Sequence, residues 1–152
     1  MMSTERQAKG IPVAASTKSG FSAEERAAMK ERAKELKATA TKAQAESAVL
    51  KTIAEMPQPD RSIATRIHEI VTENAPSLSA KTWYGQPAWN KDGTVVLFFQ
   101  SAAKFKTRYP TLGFSDAAAL DDGEMWATSF GITALTPAIE KNLIALVKKA
   151  AG

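Results

Sequence analysis

Trp83, Tyr84, Trp89, Lys104, Lys106 and Arg108 have the types and spacing to hold a ligand. The three aromatics belong to the run Trp83-Tyr84-Gly85-Gln86-Pro87-Ala88-Trp89. Gly85 permits a bend that a residue with a Cβ resists, and Pro87 fixes the exit from it. Three large rings around one bend line a ligand groove or fill the inside of a corner. Tryptophan, apolar with one polar edge, serves in both. In Lys104-Phe105-Lys106-Thr107-Arg108-Tyr109 a cation stands at every second position. On a strand those three cations share one face at intervals of roughly 6.6 to 7 Å, with Phe105 and Tyr109 on the other. The spacing suits phosphate groups or an acidic partner. It equally suits an edge strand whose charges prevent aggregation.

Asp116, Asp121, Asp122 and Glu124 make the loop before the last expected strand the most acidic region. Oxygen donors of this kind take Ca²⁺, Mg²⁺ or iron. The spacing matches no calcium loop, and Asp-Asp-Gly is also common turn chemistry. Asp121, Asp122 and Glu124 stand as the metal candidates. The chain has no cysteine, which removes thiolate metal sites, disulfides and cysteine nucleophiles. Its one histidine, His68, has Thr72 a helical turn further on and so lacks a paired ligand. There is no glycine-rich phosphate loop, dinucleotide fingerprint or zinc-protease pair. Gly113-Phe114-Ser115-Asp116-Ala117 opens like a nucleophile elbow but lacks the closing glycine. No catalytic residue is assigned. The net charge of +4 is mild, and no glycine-aromatic RNA-binding signature is present, which together argue against nucleic acid. The expected partner is a small molecule or an acidic protein.

These side chains need a frame. A chain of 152 residues, 44% hydrophobic and 24% charged, suits one globular domain. No stretch approaches the roughly eighteen apolar residues of a membrane span. The chain reads as soluble and cytoplasmic. Residues 1–20 read as a mobile tail, 21–45 as a charged helical extension, and 46–152 as a single domain. Ser22-Ala23-Glu24-Glu25 is a capping box, with Phe21 placed as its hydrophobic staple. The spacing predicts a helix over Glu46–Met56, stopped by Pro57-Gln58-Pro59. Asp60 is expected to cap the next helix, whose Ile63, Ile67, Ile70 and Val71 make one apolar stripe. Thr94–Phe99 reads as a strand buried on both faces, reached through a turn at Lys91-Asp92-Gly93 from a strand around Ala88-Trp89-Asn90. A short helix is expected over Asp116–Leu120 and a last strand near Trp126–Ile132. A closing helix opens at Thr136-Pro137. The fold class is α+β: a mainly antiparallel sheet of four to six strands, with N-terminal helices and a C-terminal helix packed on it.

Ala75-Pro76 after the helix, Lys81-Thr82-Trp83-Tyr84-Gly85-Gln86-Pro87, the run Gly93–Phe99, Phe105-Lys106, Leu112-Gly113-Phe114 and the lysine-bearing closing helix form a pattern. In that order, from Ile63 onward, they resemble the YdhG-like family of small bacterial proteins, a domain of unknown function. The charged first helix resembles an extension seen in actinobacterial relatives. The resemblance implies an α+β fold and brings no catalytic residues. One branch has been described as a frataxin-like intracellular iron chaperone with acidic ligands. Iron is thus implied by resemblance alone, and no cofactor follows from composition. The expected function is a non-enzymatic binding or accessory domain with weak iron handling through surface carboxylates. The alternative is capture of an anionic ligand or partner by Lys104, Lys106 and Arg108. An enzyme with an aromatic-lined pocket is the third reading.

Overall fold

The computed structural model describes residues 22–152, so the expected N-terminal tail lies outside the described residues. In chain order the elements are α1 (Ala23–Ala54), α2 (Asp60–Asn74), β1 (Ser79–Trp83), β2 (Gln86–Lys91), β3 (Thr94–Gln100), α3 (Ala102–Phe105), β4 (Thr111–Phe114), β5 (Ser129–Gly131) and α4 (Pro137–Ala151). They divide into two compact units, one ending at Thr41 and one covering Lys42–Gly152.

In the first unit α1 starts as its residues demand. Ser22 Oγ accepts the Glu25 amide at 3.1 Å, and Glu25 Oε1 accepts the Ser22 amide at 3.0 Å. The helix continues through residue 46, where a boundary was expected, because no glycine or proline interrupts its Ala-, Lys- and Glu-rich sequence. Its last turns supply Val49 and Ile53 to the core of the second unit. There α2 buries Ile63, Ala64, Ile67, Ile70 and Val71, and α4 buries Leu143, Val147, Ala150 and Ala151. Asp60 does not cap α2. Pro59 occupies the cap position, and the Asp60 carboxylate is turned instead toward the segment before β4.

The five strands form an antiparallel meander in the order β1-β2-β3-β4-β5. Two hairpins are closed by two-residue turns, Tyr84-Gly85 (φ 51° and 72°) and Asp92-Gly93 (φ 51° and 83°). Paired positive φ values match the right-handed twist of the flanking strands. Ala80, Trp89, Leu97 and Phe114 stand side by side on the face that shares one hydrophobic cluster with α2 and α4. Lys81, Ala88, Phe98, Gly113 and Ser129 make the opposing row on the outward face. β3 is therefore not buried on both sides: Val95 and Phe98 are half-buried. Val96 has no partner on β2, and this extra residue lets Val96 and Leu97 both enter the core. Gly113 is required here, since a Cβ would come within 2.8 Å of three ring atoms of Phe98.

Three segments depart from the expected elements. Lys104–Tyr109 is not a strand. Ser101 caps α3 by accepting the Lys104 amide, and Lys106 (φ 56°) ends it in the left-handed conformation. The alternating cations therefore do not share a face. Asp116–Leu120 forms turns rather than a helix, held by Ser115 Oγ accepting the Ala117 amide and by the buried side chains of Ala118 and Leu120. The final strand shrinks to Ser129–Gly131 and leaves Trp126 exposed.

Candidate functional site

The Tyr84-Gly85 turn places Trp83 at the end of β1 on the outward face, 37% exposed. Its ring meets Tyr84 edge-on at 4.9 Å and Phe98 at 5.1 Å. Tyr84 stands at the tip, 80% exposed. Trp89 does not join them. It lies on the core face, 1% exposed, and donates its Nε1–H to His68 Nδ1 at 3.2 Å. An indole nitrogen can only donate, so His68 Nδ1 accepts and its Nε2 carries the proton toward Glu46 Oε2 at 3.0 Å. This chain of contacts fastens α1, α2 and β2 together. The three aromatics, read from sequence as either a groove or corner packing, are thus two rings on one face and one in the core. The two-residue turn forces this: it sets Trp83 opposite Gln86, on the same face as Ala88, and leaves Trp89 on the other.

The three cations also separate. Lys104 reaches back from α3 and donates its ammonium to the Gly85 carbonyl at 3.0 Å. Lys106 is exposed at the end of α3, and the Arg108 guanidinium lies 5.1 Å from the centre of the Tyr109 ring. Among the described residues no carboxylate pairs with any of the three. Asp121, Asp122 and Glu124 are exposed in the loop before β5. No group of three His, Asp or Glu side chains capable of holding a metal ion is present among the described residues.

Lys104 and the Gly85 turn line a cleft of about 480 Å³ together with Met56, Gln86, Phe99 and Ser101. Its walls are apolar at Met56 and Phe99. Thr52, Glu55, Gln86, Ser101 and Lys104 supply polar side chains to the lining. Lys104 brings a positive charge, and the buried Gln86 carboxamide has an Oε1 with no hydrogen-bond partner. A buried acceptor left unpaired costs roughly 1–3 kcal/mol unless a donor reaches it. Asp60 sets the position of Lys104. Its Oδ2 accepts the Ser101 hydroxyl at 2.7 Å and the Ala103 amide at 3.1 Å, anchoring the start of α3. The Ser101–Asp60 contact therefore builds the wall.

Gln86, Ser101 and Asp60 are the functional candidates that sequence reasoning missed. A signal for Gln86 exists: it and Asn90 stand two positions either side of Ala88, flanking the apolar Pro87-Ala88-Trp89. The pairing of Asp60 with Ser101 spans 41 positions and leaves no local trace. Comparison with family models, with curated proteins and with solved structures gave no match.

Proposed function

We propose that the chain is a non-enzymatic binding domain, and that its ligand is a small anionic molecule carrying a hydrogen-bond donor. The observation that carries this reading is the pairing of Lys104 with the unpartnered Gln86 oxygen in one cleft between apolar walls. An anionic group of the ligand meets the Lys104 ammonium, a hydroxyl or amide N–H fills the Gln86 acceptor, and the hydrocarbon part covers Met56 and Phe99. Such pockets bind through apolar area and are made selective by a few placed polar groups. The YdhG-like resemblance is compatible with a binding role. The iron handling it implies has no convergent donor set among the described residues to support it.

A thermal-shift screen of small carboxylates and phosphates tests the reading, because a ligand selective for the folded state raises its stability by mass action. The expected outcome is a rise in melting temperature with selected anions that Lys104→Gln abolishes and Gln86→Ala weakens. Equal shifts in the wild type and Lys104→Gln would overturn it.

A further inference from the structure

The outward face of the sheet carries a second cleft, of about 410 Å³, running from Trp83 beside the Gly85 turn to Asn90 toward the other end of β2. Trp83 forms one apolar wall, and Lys81, Asn90, Thr94 and Asp116 supply polar groups. Asn90 is the informative residue. It is more than nine-tenths buried, and its Oδ1 has no hydrogen-bond partner. A strand that kept only its structural duties would place an apolar residue here, as Ala88 does two positions earlier.

We infer that this cleft is a binding site for a sugar, a neutral ring bearing several hydroxyl groups. The chemistry of the lining separates that class from others. A half-turn of a carboxamide exchanges its oxygen and nitrogen, so Asn90 can offer the ligand an acceptor or a donor. A hydroxyl group answers both, whereas an ammonium only donates and a carboxylate only accepts. Lys81 and Asp116 carry opposite charges, so the cleft has no net preference for an ion. Thr94 adds another group that both donates and accepts. The half-exposed Trp83 ring offers a flat apolar surface to the C–H face of a sugar ring, as the amphipathic character of indole allows.

The test is calorimetric titration of the full chain with D-glucose, D-galactose, D-ribose and a β-1,4-linked glucose disaccharide. Parallel titrations use wild type, Trp83→Ala, Asn90→Leu and Lys104→Gln. At least one sugar is expected to bind the wild type. Trp83→Ala and Asn90→Leu should each weaken it at least tenfold, while Lys104→Gln should leave it unchanged. Asn90→Leu should also melt no lower than wild type, since it removes a buried polar group that has no partner in the protein. That outcome separates a residue kept for a ligand from one kept for the fold. Glycine and glutamine serve as zwitterionic controls. Binding of either amino acid in place of a sugar, no binding of any sugar, or a marked drop in melting temperature for Asn90→Leu would overturn the inference.

Discussion

Trp83 and Trp89 are the same residue type six positions apart and do unlike things. Trp89 is fully buried and gives its only polar hydrogen to His68, whereas Trp83 is exposed along one edge. Replacing Trp89 with Ala should cost about 3–5 kcal/mol, the range for removing a large buried ring. It would also strip His68 Nδ1 of its donor. Trp83→Ala should cost about 1 kcal/mol, because most of what it loses is contact with Phe98 and Tyr84. Denaturant unfolding of the two variants measures both values, and equal losses would contradict the assignment of faces. The difference between the two rings was legible in the sequence only in part. Counting residues along the strand gives each ring a parity, but the parity means nothing until the turn length is known. Fixing two turn residues at Tyr84-Gly85 decides that Trp83 faces outward and Trp89 inward. Gln86 and Asn90 are visible in the sequence as polar residues flanking the apolar Pro87-Ala88-Trp89, but only the structure shows that their oxygens are buried and unpaired.

Among the elements, α3 shows how a residue far along the chain overrides local pattern. The alternation Lys104, Lys106, Arg108 fits a strand, yet the Asp60 carboxylate captures Ser101 and Ala103 and turns the segment into a helical turn. Asp60→Ala frees the Ala103 amide and orphans the Ser101 hydroxyl, at roughly 1–3 kcal/mol for that buried group left unpaired. It should also weaken anion binding in the Lys104 cleft, because α3 would lose the anchor that aims Lys104. Anion titration of the folded variant checks this; unaltered affinity would show that α3 positions itself. At α1 the local pattern holds, because a capping box needs only residues three apart. Hydrogen bonds from the Ser22 amide first, and then from its hydroxyl, hold the Glu25 carboxyl below its ordinary value. A carboxyl whose pKa is lowered on folding stabilises the helix start above its unfolded pKa, and the effect is lost as pH falls through the folded one. The first turn of α1 should therefore fray as the pH drops through and below the ordinary carboxylate range. The Ser22 and Glu25 amide chemical shifts in an acid titration report it. In Glu25→Gln those shifts should no longer follow the carboxyl.

At the scale of the whole molecule, all the core residues of the sheet and its helices fall within Lys42–Gly152. Residues 42–152 produced alone should fold and melt within a few degrees of the full chain, since they carry the hydrophobic core of the described residues. A loss of cooperative melting would mean that the earlier part of α1 is needed. The link between α2 and α4 belongs to this unit. Arg66 donates to Glu140 at 3.0 Å and to Glu69 at 3.1 Å, and these contacts, Glu140 first, hold its guanidinium above its already high ordinary pKa. The architecture was legible because apolar stripes and turn residues are local signals. β1 and β4 were not, since neither has a strong alternation of its own and each is defined by the neighbour it pairs with.

The position of β3 in the middle of that sheet sets a clock inside the molecule. It is bonded to β2 on one side and β4 on the other, and Leu97 and Phe99 are fully buried beneath it. A backbone amide exchanges its hydrogen for deuterium only when its bond opens and water reaches it. Bonded amides near Leu97 and Phe99 have no route to that state short of unfolding the whole unit, so their exchange should track its global free energy. Those of β5, three residues long and at the edge, should exchange through local opening. Exchange followed residue by residue while denaturant is raised would show the two classes. The β5 rates should be nearly insensitive to denaturant, and the β3 rates should climb in step with unfolding.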